Sequence, residues 1–214
     1  MPGQLIQVHI FIIKNRIMEQ DESKLKKILT GPSLGVTDVA QKRTMWQDVA
    51  KEMNGEFHIQ HTTGHEIEIH NILIPYKNWK IGISVSDVKP LKFKIIFTSH
   101  QAFEFDLSWE DFIEKIRKKF GARDVETGSK EFDDRYLITS DKPWIVKELL
   151  TKEIRECLLK HNVFALSYHT DKNNTASELT GIIQKTPGNK EMILEIIHLF
   201  QMLADHLERM KIAR

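Results

Sequence analysis

Apolar and polar residues alternate along the second quarter of the chain, a pattern that predicts strands. The alternating segments are residues 56–60, 66–70, 78–86, 91–99 and 102–108. A period of two places successive side chains on opposite faces of a sheet, so each segment has one apolar face. We therefore predict an antiparallel meander of about five strands in this part of the chain.

Other segments carry apolar residues at helical spacing. The predicted helices span residues 44–55, 108–121, 141–150, 151–161 and 189–210. Residues that can cap a helix start four of them: Thr44, Ser108, Asp141 and Thr151. Further strands are predicted at residues 131–140, 163–169 and 177–185.

The order of these elements predicts the fold class. Strands joined by short turns, with helices gathered after them, favour an α+β fold with a mostly antiparallel sheet and helices packed mainly on one face. Two strands followed by a helix occur twice, at residues 92–116 and 164–197, which suggests a degenerate strand–strand–helix repeat. We predict a partly ordered N-terminal extension, residues 1–42, followed by a single domain, residues 43–214.

The first residues leave two interpretations open. The apolar run from Val8 to Ile13 is too short to span a bilayer, and no basic residue precedes it as in a signal peptide. It is either an extra edge strand or a poorly ordered extension, with translation starting at Met18. The polar segment that follows Met18 favours the second, and whether residues 1–17 belong to the native protein stays open.

Composition and charge narrow the class of protein. The 214 residues are 41% hydrophobic and 29% charged, as in an ordinary globular protein. A net charge of +1 argues against a dedicated nucleic-acid binder. Cys157 is the single cysteine, which excludes an intrachain disulfide and a thiolate zinc cluster. We expect a cytoplasmic protein with no membrane partner.

Four of the ten histidines fall within residues 57–70, in a predicted hairpin. We predict that Phe57, Ile59, Ile67 and Ile69 face the core, and that Glu56, His58, Gln60, Glu66, Glu68 and His70 share the outer face. Cross-strand neighbours lie about 5 Å apart, so His58 and His70, with Glu68, could hold a divalent metal. Alternation alone also explains these polar residues, and a solvated face without a metal is the favoured interpretation.

Other candidate groups favour structural roles. Glu195 and His198 have the i, i+3 spacing of di-iron ligands, but no second pair is found in the sequence. Asp133, in an acidic loop, is expected to pair with Arg135 or Arg155. Cys157 is expected to be a small buried apolar residue. The basic end of the helix at 108–121 could contact phosphates, a weaker possibility.

One segment resembles known proteins. Its features are Phe132, Asp133, Tyr136, Ile138, Leu149, Leu150, Thr151 and Arg155. In this pattern, strongest over residues 122–159, the chain resembles an uncharacterised bacterial protein family of unknown function. The resemblance implies a fold unit and a bacterial origin, and it supplies no catalytic residues.

The function that these observations favour is a binding or interaction module, not an enzyme. An uncovered sheet face could bind a protein partner or a second copy of the chain, and an apolar outer surface around Tyr76, Trp79 or Trp144 would support this. A metal-dependent enzyme that uses the hairpin histidines with Glu66 or Glu68 is the alternative, and nucleic-acid binding is a weaker one. No cofactor is expected apart from that divalent metal.

Overall fold

The structure, a computed structural model, describes residues 39–62, 67–109, 123–173, 175–184 and 188–214. Its strands are β1 (Glu56–His61), β2 (Glu68–Tyr76), β3 (Trp79–Val85), β4 (Leu91–Thr98), β5 (Phe105–Trp109), β6 (Arg123–Asp124), β7 (Tyr136–Ser140), β8 (Val163–Thr170) and β9 (Ala176–Ile183). Its helices are α1 (Val39–Glu52), α2 (Lys130–Asp133), α3 (Pro143–Leu149), α4 (Lys152–Lys160) and α5 (Lys190–Arg209). The described strands form one antiparallel sheet, which confirms the predicted α+β class.

The order of the strands in the sheet is β1-β2-β3-β4-β9-β8-β5-β7-β6. The predicted five-strand meander is wrong at its last member, since β9 and β8 lie between β4 and β5. The eight residues of β4 pair along their whole length with β9, from Leu91 opposite Ile183 to Thr98 opposite Ala176. The five-residue β5 pairs instead with β7 and β8. Alternation of apolar and polar residues predicts a strand, but it does not predict which strand lies beside it in the sheet.

One face of the sheet carries the core, and α5 is the main helix against it. Eight residues of this helix are buried: Ile193, Ile196, Ile197, Leu199, Phe200, Leu203, Ala204 and Leu207. Phe200 stacks on Phe93 of β4 at a centroid distance of 4.9 Å and packs over Gly181 of β9. We call this side the covered face; α1, α3 and α4 contact α5 on the same side.

Two helices in the second half of the chain begin at a side-chain cap. The predicted Asp141 cap of α3 is wrong, because Lys142 is the N-cap residue there and its side chain makes no capping hydrogen bond. The Thr151 hydroxyl accepts a hydrogen bond from the Ile154 amide at the start of α4, as predicted. The Asn189 side chain does the same for Met192 in α5, at 2.9 Å. The boundaries of the first described helix are wrong in the prediction, because α1 begins at Val39 rather than Thr44.

The predicted strand at residues 131–140 is a short helix followed by a shorter strand. Residues Lys130–Asp133 form α2, and β7 begins only at Tyr136. Asp133 accepts hydrogen bonds from the Thr127 and Gly128 amides, at 2.9 Å each, rather than pairing with an arginine. This ring of hydrogen bonds folds the acidic loop onto the helix and gives Asp133 a structural role.

Two predictions lie largely outside the described residues. The predicted helix at 108–121, with its basic end, is not among them, apart from Ser108 and Trp109, which belong to β5. The predicted extension, residues 1–42, is described only from residue 39. The described residues, from 39 onwards, belong to one compact unit, and the boundary near residue 42 stays a prediction.

A side chain at Gly181 tests the contact between α5 and the sheet. A β-carbon there would lie 2.3 Å from Phe200 Cζ, and this ring cannot move freely because it stacks on Phe93. We expect Gly181→Ala to lower the free energy of unfolding by about 1–3 kcal/mol, the usual cost of overpacking. Urea denaturation measures it.

Gly82→Ala is the matched control. Gly82 lies in β3, where an added β-carbon meets nothing nearer than 3.6 Å. We expect the control to change the unfolding free energy by less than about 1 kcal/mol. Equal effects of the two substitutions would contradict the packing described here.

Candidate functional site

The hairpin histidines lie on two different faces of the sheet. His58 is opposite Asn71, whereas Ile59 is opposite His70 and His61 is opposite Glu68. His61, Glu68 and His70 therefore share the covered face with Phe57, and His58 lies on the other face. The predicted faces are wrong for β2, because this strand continues to Tyr76 and buries Ile72 and Ile74, which fixes the orientation of the whole strand.

Glu68 is the centre of a polar cluster at this end of the covered face. Arg43 Nη2 of α1 lies 2.5 Å from Glu68 Oε1, and His70 Nε2 lies 3.2 Å from Glu68 Oε2. His61 Nε2 is 3.7 Å from the same carboxylate. The hydrogen bond from Arg43, then that from His70, holds the pKa of Glu68 below its usual range. The cluster joins α1 to β2.

The predicted metal ligands are thus only partly brought together. Glu68 and His70 are in contact, but His58 lies on the opposite face and contacts Glu56 at 3.3 Å. Across the described part of the chain, no group of three His, Cys, Asp or Glu side chains is arranged to hold a metal ion. A metal-binding role for His58, Glu68 and His70 stays a prediction.

The apolar surface expected around Tyr76, Trp79 and Trp144 is not formed. Trp79 is buried in the covered face, against Phe97. The Tyr76 hydroxyl donates to the Asp205 carboxylate of α5 at 2.9 Å. Only Trp144 is exposed, by 59%. Tyr76 and Trp79 are cross-strand partners at a turn, so both turn towards the covered face, where Trp79 is buried and Tyr76 is half-buried.

The second face of the sheet carries the candidate site. We call it the open face, and it consists of the residues that alternate with the buried ones on β2, β3, β4, β9 and β8. Its central side chains are Lys92, Lys94, Ile96, Ala165, Ser167, His169, Glu178, Thr180 and Ile182. Towards β5 and β7 this face closes, since Ser108 and Thr139 are buried.

Lys94 and Glu178 form an ion pair near the middle of the open face. Lys94 Nζ lies 2.6 Å from Glu178 Oε2, and the Thr180 hydroxyl donates to Glu178 Oε1 at 2.9 Å. Burial works to raise the pKa of Glu178, but the charge and hydrogen bond of Lys94 outweigh it and keep that pKa below its usual range. Glu178 is therefore a carboxylate at neutral pH.

His169 lies next to this pair, between two carboxylates. Its Nε2 is 3.0 Å from Asp106 Oδ1 of β5, and its Nδ1 is 4.0 Å from Glu104 Oε2. Burial disfavours the charged imidazole, but Asp106 and then Glu104 and Glu178 raise the pKa of His169 above its ordinary value. An imidazole held between two carboxylates on one face of a sheet suits the recognition of charge.

Comparison with known proteins identifies a shared fold. No protein family model matches the sequence, and no curated protein matches it. The chain is similar to the crystal structure of the mycobacterial trehalose monomycolate transport factor A, with a TM-score of 0.52 and 9% identity, over 77% of this chain and 93% of that one. At this identity the likeness shows a shared fold alone.

No described helix combines the length and the apolar composition that a membrane span requires. Part of the open face could have been found in the sequence, since the "LKFKIIFT" segment of β4 alternates lysines with apolar residues. The pairing of Asp106 with His169, 63 positions apart, has no local pattern that would predict it.

An imidazole titration tests the charge state of His169. We expect its NMR resonances to titrate above 6.5, because Asp106 stabilises the protonated ring. Because the pKa of His169 is raised in the folded state, its protonated ring stabilises the fold. This stabilisation is complete below about pH 6.5 and is lost as the pH rises through the folded-state pKa. Asp106→Asn should lower the pKa of His169.

Glu191→Gln is the control for this titration. Glu191 is an exposed carboxylate at the start of α5, so its removal should leave the His169 titration unchanged. A pKa of His169 that does not respond to Asp106→Asn would contradict the described contact.

Proposed function

We propose that the chain is a non-enzymatic interaction module whose docking surface is the open face, and that the surface binds a second copy of the chain. The observation that carries the proposal is the arrangement of charges on this face, which is complementary to itself. The proposal also includes three predictions made from the sequence: the protein acts by binding, it has no resident cofactor, and it is cytoplasmic.

The charges lie along rows that cross the strands. One row runs from Lys94 on β4 through Thr180 and Ser167 to Asp106 on β5. At about 4.8 Å between strands, the lysine and the carboxylate are roughly 14 Å apart. The two residues between them are small, so another surface can approach closely.

A twofold axis parallel to the strands, above the junction of β8 and β9, places unlike groups of two copies over each other. Lys94 of one copy then lies over Asp106 of the other. In the next row, Glu178 lies over His169, since these two residues are cross-strand partners. On the other side, Ile182 lies over Ala165. An isologous interface requires this kind of self-complementary surface.

The size of the face predicts a weak dimer. The eight-residue strands β4, β9 and β8 cover about 14 Å by about 26 Å, and the five-residue β5 adds a strip about 5 Å wide and about 16 Å long, so each copy offers roughly 450 Å². A total near 900 Å² is just below the usual lower limit for a specific interface and within the range of weak, transient ones. We therefore expect a dissociation constant in the micromolar range or weaker, with a marked dependence on salt.

The structural neighbour supports the class of function only in part. It is named as a transport factor, a role that a protein can fill by binding. Because the likeness shows the fold alone, the proposal does not assign trehalose monomycolate to this chain.

Sedimentation velocity over a concentration series tests the proposal. We expect a monomer–dimer equilibrium, which Lys94→Glu weakens at least tenfold because a glutamate then faces Asp106 of the other copy. The double variant Lys94→Glu with Asp106→Lys should restore association. It does not restore the contacts within one chain, to Glu178 and His169, so recovery reports the contact between copies.

Lys147→Glu is the matched control. Lys147 is an exposed lysine on α3, away from the open face, and its reversal should leave association unchanged. A chain that stays monomeric at about 1 mM would overturn the proposal. So would a dimer whose dissociation constant is the same with and without Lys94→Glu.

A further inference from the structure

His169 is the residue of the open face whose charge changes near neutral pH. Carboxyl groups ordinarily titrate near about pH 4 and lysines near about pH 10, whereas an imidazole titrates near about pH 6.5. Among the described residues of the open face, His169 is the only histidine. Its side chain is 40% exposed, so a surface that docks on this face can reach the ring.

The charged groups around His169 come from the strands on both sides of it. Asp106 Oδ1 of β5 lies 3.0 Å from Nε2, and Glu104 Oε2, just before β5, lies 4.0 Å from Nδ1. On the other side, Glu178 of β9 is the cross-strand partner of His169. Lys94 of β4 is one strand further away and is paired with Glu178. We call these five residues the His169 cluster.

The protonation state of His169 decides how acidic this cluster is. Its three carboxylates face one lysine and the imidazole. The cluster therefore carries a net charge of −1 with a protonated ring and −2 with a neutral ring. Each copy of a dimer contributes one cluster, so loss of the two ring protons makes two surfaces of like charge face each other more strongly.

The twofold axis of the proposed dimer places Glu178 of one copy over His169 of the other. With a protonated ring, this contact is an ion pair between copies. With a neutral ring, the same carboxylate meets a group whose nearest charges are Asp106 and Glu104, which repel it. Because the interface is isologous, the contact occurs twice in each dimer.

We propose that the charge of His169 controls association, so that two copies pair when the ring is protonated and separate when it is neutral. This inference rests on the proposed function, since it concerns a contact across the same twofold axis. It adds to that function a device through which pH sets the fraction of paired chains.

The direction of the pH dependence follows from the surroundings of the ring. Burial disfavours the charged imidazole, but Asp106 and then Glu104 and Glu178 raise the pKa of His169 above its ordinary value of 6.5. Association is therefore strongest below about pH 6.5 and weakens as the pH rises through the raised pKa. About threefold from each of the two contacts gives a rise of about tenfold in the dissociation constant between pH 6 and pH 9.

Sedimentation velocity at about pH 6 and pH 9, at one ionic strength, tests the inference with two variants. His169→Gln has a neutral side chain at both pH values, so we expect weak association with a dissociation constant that changes less than about twofold. His169→Arg stays positively charged, so we expect it to keep at pH 9 the affinity that the unmodified chain has at pH 6.

His58→Gln is the matched control. His58 lies on the same side of the sheet, but on β1, outside the strands of the proposed interface. Its side chain is 59% exposed and faces Glu56 at 3.3 Å, so it also titrates next to a carboxylate. We expect this variant to keep the pH dependence of the unmodified chain.

NMR gives a second readout that needs no variant. Because protonation favours the dimer, dimerisation must favour protonation to the same extent. We therefore expect the pKa of His169 to be higher at a protein concentration above the dissociation constant than at one well below it. An equal pKa in monomer and dimer would overturn the inference.

The outcomes separate this inference from the proposed function. A dimer that Lys94→Glu weakens, but whose dissociation constant is the same at pH 6 and pH 9, would overturn the inference alone. A His169→Gln dimer that keeps the pH dependence would do the same. A chain that stays monomeric at about 1 mM at both pH values contradicts the proposed function, and the inference falls with it.

Discussion

The packing of one long helix against a sheet whose central strands alternate buried and exposed residues is the interaction on which the rest of the structure depends. Alternate residues of β4, β9 and β8 are buried, and α5 covers them with eight buried side chains. At Gly181 the helix and the sheet approach closely, and Phe200 occupies the space of a side chain. Because this packing commits one face to the core, every residue between the buried ones must face the other way.

That second face, the open face, carries charged side chains. In β4 the buried positions all hold large apolar residues, and in β9 they hold Leu179 and Ile183 with the small residues Ser177 and Gly181. The intervening positions hold Lys94, Glu178 and Thr180. These groups are half-buried, so the ion pair of Lys94 and Glu178 is less screened than an isolated surface pair. The arrangement of charge on the face follows from strand order as much as from sequence, since β9 separates β4 from β8.

The sequence alone predicts the elements well where a strong local pattern exists. The long apolar stripe of α5, the Thr151 cap of α4 and the alternation of β3 and β4 all appear in the structure as expected. It fails where a distant contact decides the outcome. The orientation of β2 is set by Ile72 and Ile74, beyond the hairpin that the histidines suggested, and the insertion of β8 and β9 after β4 has no local signature.

For the candidate functional residues, too, local spacing can be predicted from the sequence, but distant contacts cannot. The Glu195–His198 spacing is visible in the sequence, but only the contact of α5 with α4 brings His161 and Cys157 beside it. Likewise, Asp106 and His169 belong to strands that the sequence does not show to be neighbours. Local chemistry can be predicted from residue types, whereas the partner that tunes each group comes from the topology.

Hydroxyl-radical footprinting at two protein concentrations tests the central claim, that the open face is the surface through which copies associate. Ile96, which is 45% exposed, and Ile182 lie on this face, whereas Val88, which is 63% exposed, lies in the turn between β3 and β4. The account predicts that oxidation of Ile96 and Ile182 falls as the concentration rises through the association range, while that of Val88 stays constant. Unchanged oxidation of both isoleucines in a sample that has dimerised would contradict it.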